Sequence, residues 1–77
     1  MRYHSAKIRI MLANIETYNI SKEDELWIAE AIIHIDKSNK FDEAGESRDA
    51  DREYHLALQA MSKLPAELAN YLYDNLT

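Results

Sequence analysis

The chain has 77 residues, 47% of them hydrophobic, with nine Lys and Arg against fourteen Asp and Glu for a formal net charge of −5. That length leaves room for a single core, near the size at which burial barely outweighs conformational entropy. With no cysteine, disulfides and thiolate metal sites are excluded. The scattered cations of an acidic chain also disfavour a phosphate backbone as partner. A core so small and without covalent staples points to pairing with a second copy, so a homodimer is expected.

The opening, Met1 to Lys7, lacks the apolar stretch of a secretory signal, and no apolar run approaches the roughly 18 residues a bilayer requires. A cytoplasmic protein without membrane contact is the expectation. One glycine and one proline are too little punctuation for a β-protein. The reading is therefore all-α, a single domain over residues 1–77. It is a small bundle of three longer helices plus one short C-terminal helix.

The first helix is expected over about residues 4–18, with Ile8, Met11, Leu12, Ile15 and Tyr18 repeating as a core face. A narrower stripe, Tyr3, Ala6, Ile10 and Ala13, follows at alternating spacings of three and four. It is either a weakly apolar solvent face or a surface for self-association. Asn19-Ile20-Ser21 breaks the pattern, and Ser21 with Asp24 three residues on forms a capping-box-like helix start. Glu23, Asp24 and Glu25 suit the positive end of the helix dipole that follows.

The central helix, about 22–37, contains Leu26 to Ile35, in which eight of ten residues are apolar. Ile28, Ala31, Ile32 and Ile35 face one way and Leu26, Ala29 and Ile33 another, so several neighbours are expected to bury it. Residues 38–47 lack an apolar face and hold Gly45, so they read as a loop pinned to the core by Phe41. A third helix over about 48–63 aligns Ala50, Tyr54, Ala57, Leu58 and Met61, while Leu56 points elsewhere beside Ala60. Leu64-Pro65 starts a last short helix over about 65–75, with Leu68, Leu72 and Leu76 in line and Tyr71 and Tyr73 on the flanks.

Little in this pattern carries reaction chemistry. Glu30 and His34 share a helix face at ligand spacing, but a metal needs further convergent groups, so they read as a polar strip. Asp51 and His55 read as a surface ion pair. None of the five serines sits in a nucleophile elbow, and one glycine cannot build a phosphate-cradling loop. No catalytic, metal or cofactor site is expected, and the chain reads as not an enzyme. The short link between the first two helices resembles a helix-turn-helix, but the second would present Glu23, Asp24 and Glu25 to phosphates.

Two readings of function remain. Trp27, at the edge of the polar sector beside Glu30 and His34, together with Leu56, Tyr71 and Tyr73, falls off the main core faces, as residues of interface centres often do. These six residues define a candidate partner-binding set. The chain then reads as a protein-binding inhibitor, adaptor or regulator, a class frequent among phage and mobile-element products. The alternative is an acidic nucleic-acid mimic or nucleic-acid-associated regulator. It would use Asp42, Glu43, Glu46, Asp49, Asp51 and Glu53, six carboxylates within twelve positions.

Overall fold

The computed structural model describes residues 6–14 and 17–76, with all of their side chains but those of Lys7 and Leu76. Four helices follow in order, α1 (Ala6–Ala13), α2 (Lys22–Glu43), α3 (Ser47–Met61) and α4 (Ala66–Leu76), and no strand occurs among the described residues. The fold is a small all-α bundle. None of these helices is long and apolar enough to cross a membrane.

Helix α2 begins where its chemistry dictates. The Ser21 hydroxyl accepts the Asp24 backbone N–H at 3.1 Å, and three acids occupy the first turn. Its end differs from the sequence expectation, because residues 38–43 continue the helix. Ser38 and Asn39 are buried, and Ser38 Oγ donates to the Ala50 carbonyl of α3 at 2.7 Å. The apolar face is thus extended by small, hydrogen-bonded polar groups, which hydropathy alone does not register. Phe41, half-buried, belongs to this helix and not to a loop.

The real turn is three residues. Gly45 at φ +79° takes the left-handed conformation, the Glu46 N–H reaches the Phe41 carbonyl at 2.8 Å, and the Gly45 N–H reaches that of Asp42 at 3.1 Å. This is a Schellman closure, and it sends α3 back along α2. These two helices share the most extensive contact in the molecule. On the α3 side it is lined by Ala50 and Ala57, both fully buried, and Ala60. Side chains that small let two helices approach closely.

Around this hairpin, Ile8 and Met11 of α1, Leu64, and Leu72 of α4 join Ile28, Ala31, Ile32, Ile35, Ala57, Ala60 and Met61 in one core. Helix α1 is the shortest element, ending at Ala13 and not near Tyr18. The Asn14 side chain donates to the Ile10 carbonyl at 2.8 Å, and Asn19 lies at φ +58°. An asparagine that bonds backbone in this way competes with helix continuation. Tyr18 is accordingly 44% exposed, and Ile15 lies outside the described residues.

The expectation that neighbours enclose α2 is also corrected. Leu26 is 71% and Ile33 53% exposed, because α1 and α3 are the helices packed chiefly against α2 and, among the described residues, these two side chains are left uncovered. The Arg9 guanidinium pairs with Asp36 at the α1–α2 edge.

Candidate functional site

Helices α2 and α3 together form a pocket of about 170 Å³ lined by Trp27, Glu30, His34, Leu56, Gln59, Ala60 and Lys63. Its α2 wall follows from helical spacing, since residues 27, 30 and 34 lie within one sector of the helix at about 100° per residue. Its α3 wall follows from the antiparallel register set at Gly45, which carries residues 56–63 back alongside the start of α2. Four residues of the predicted partner-binding set, Trp27, Glu30, His34 and Leu56, therefore come together. Ala60, expected beside Leu56, completes the wall with Gln59 and Lys63, which had no distinguishing signal in the sequence.

Behind the pocket lies Glu53, which the sequence reading placed in the surface acidic stretch. It is 6% exposed, with Oε1 3.5 Å from His34 Nδ1. Its position was legible after all, because residues 50, 53, 57 and 60 share one face of α3 and the other three are the alanines of the helix contact. The imidazole stands between two carboxylates, with Nε2 3.9 Å from Glu30 Oε1. His34 Nδ1 is buried and makes no hydrogen bond.

Among the described residues no group of three or more His, Asp or Glu is arranged to hold a metal ion. What the pocket offers is an indole, a leucine and the Ala60 surface, ringed by a carboxylate, an amide and an ammonium. Such a mix of apolar floor and polar rim suits capture of a side chain from another protein.

The rest of the predicted set is dispersed. Tyr71, 40% exposed, lines a separate cleft with Tyr18, and Tyr73, 47% exposed, lines neither. Of the self-association stripe, Ala6, Ile10 and Ala13 are exposed along α1, and Tyr3 lies outside the described residues. In the acidic stretch Asp49 pairs with Arg52 at 3.4 Å, while Glu43, Glu46 and Asp51 are exposed and Asp42 is half-buried. With Glu53 turned inward, five of the six carboxylates remain to form a surface patch.

Comparison of the chain with protein-family models, with curated proteins and with solved structures gives no match.

Proposed function

We propose that this chain is a non-enzymatic, cytoplasmic protein-binding module that acts as an inhibitor, adaptor or regulator by engaging a partner protein at the α2–α3 pocket. The observation that carries the reading is the convergence of Trp27, Glu30, His34 and Leu56 on one concave surface. An aromatic and an aliphatic side chain left accessible between two rigid helices offer anchoring area at little entropic cost. The polar rim supplies direction.

The module works as a homodimer in this reading. Support comes from apolar side chains left open on adjoining helices, Ile10 at 56% on α1 and Leu26 and Ile33 on α2. Two measurements separate these parts. Light scattering over a hundredfold concentration range tests the dimer. A mass that stays monomeric removes it, whereas a dimer should lose mass when Leu26 and Ile33 are both changed to Gln. Affinity capture with the wild-type chain against Leu56→Glu and Trp27→Ala tests the pocket. Partner retention by both variants, with helicity unchanged by circular dichroism, would overturn the assignment of the pocket.

A further inference from the structure

A second concavity has a different chemistry. It is a cleft of about 310 Å³ where the α1–α2 link meets both the start of α2 and the face of α4. Met11, Ile20 and Leu68 give it an apolar floor. Tyr18, Tyr71, Asp24 and Glu67 supply its polar lining.

Among the described residues no Lys, Arg or His lines this cleft. Among the described residues neither Asp24 nor Glu67 has an ion-pair partner, unlike Glu30, Asp36, Asp49 and Glu53, which all do. Both acids stand in the first turn of a helix, where the dipole favours them. That accounts for a carboxylate at each helix start. It does not account for two phenol rings, 44% and 40% exposed, sharing one cleft with those carboxylates. Aromatic faces and carboxylates attract the same ligand charge, since the ring quadrupole presents its negative face to a cation.

We propose that this cleft binds the side chain of an arginine or lysine from a partner polypeptide. The aliphatic stem lies on Met11, Ile20 and Leu68, as long basic side chains cover apolar surface while keeping the charge at the rim. The cation then meets Glu67, Asp24 and the tyrosine rings. An opening of this volume matches one extended basic side chain and is at the small end of ligand sites. A chain carrying −5 also draws basic surfaces toward it over longer range. The assignment is independent of the α2–α3 pocket and does not need its partner to be known.

The test uses the full chain and defined probes. N-acetyl-arginine amide, its neutral isostere N-acetyl-citrulline amide, and N-acetyl-norleucine amide are titrated while Tyr18, Leu68 and Tyr71 resonances are followed by NMR. The arginine probe should shift these signals and bind at least tenfold more tightly than either neutral probe. Raising the salt concentration should weaken it selectively. In the Asp24→Asn/Glu67→Gln double variant the preference for arginine should vanish while the helical circular dichroism signal is kept. Equal binding of arginine and norleucine would make the cleft merely apolar and overturn the proposal, as would shifts confined to signals elsewhere. So would a charge preference that survives in the double variant. If that variant fails to fold, Glu67→Gln alone, at an exposed position, must still reduce the preference severalfold.

Discussion

Ser38 and Ala50 hold α2 and α3 together through a hydrogen bond in which the serine hydroxyl donates to the alanine carbonyl at 2.7 Å, with both residues fully buried. The bond is possible because neither side chain is large enough to keep the helices apart. It fixes the axial register of the hairpin, and that register decides which residues of α3 meet Trp27 and His34.

Ser38→Ala should therefore cost about 1 kcal/mol, the net worth of one buried hydrogen bond. Ser38→Leu should cost more, about 1–3 kcal/mol, since it forces bulk into a filled contact against Ala50. Urea denaturation followed by circular dichroism measures both. If Leu proves as mild as Ala, the contact is looser than the burial of these residues implies.

How much of this was readable in advance depended on the range of the forces involved. The α2 start was legible because a serine cap acts within three residues. The end of α2 was not, because Ser38 looks like a loop residue until α3 supplies its partner, the Ala50 carbonyl. Trp27, Glu30 and His34 could be grouped from spacing alone, whereas the arrival of Leu56 beside them depends on the turn at Gly45. Exposure of Leu26 and Ile33 depends on how many neighbours α2 has, a property of the whole bundle. The cleft of Tyr18 and Tyr71 joins two stretches distant in sequence, 11–24 and 65–71, so no local pattern announced it.

Gly45 is needed for its backbone and not for space. An added Cβ would meet nothing within 4 Å, but φ is +79°. Gly45→Ala is expected to destabilise the chain by about 1 kcal/mol through left-handed backbone strain, and Gly45→Asn by distinctly less. Thermal melts of the two variants compare them directly. Equal stability of the Ala variant and wild type would mean that the turn relaxes to another conformation.

His34 and Glu53 should behave as a coupled pair. His34→Leu leaves the 6%-exposed Glu53 without the imidazole that lies 3.5 Å away, and a buried polar group left without its partner costs about 1–3 kcal/mol. The double variant His34→Leu/Glu53→Leu should recover at least half of that loss, because two apolar groups replace the pair. A double-mutant cycle by urea denaturation gives the coupling. Strict additivity of the two single changes would show that the side chains do not sense each other.

The surface acids offer the sharpest division between the two functional readings. Asp42, Glu43, Glu46 and Asp51 can be neutralised to their amides with Glu53 and the Asp49–Arg52 pair left in place, and none of the four lines the α2–α3 pocket. If partner capture depends on the pocket, the fourfold variant keeps the partner and Leu56→Glu loses it. A mimic of a polyanion would show the reverse, with binding that weakens steeply as salt is raised, because exposed charges are screened over about 8 Å at physiological ionic strength. Capture assays at low and high salt, run with both variants, therefore distinguish a surface read by shape from one read by charge. The inward turn of Glu53 and the pairing of Asp49 with Arg52 weaken the field such a mimic would need, which is why retention by the fourfold variant is the expected result.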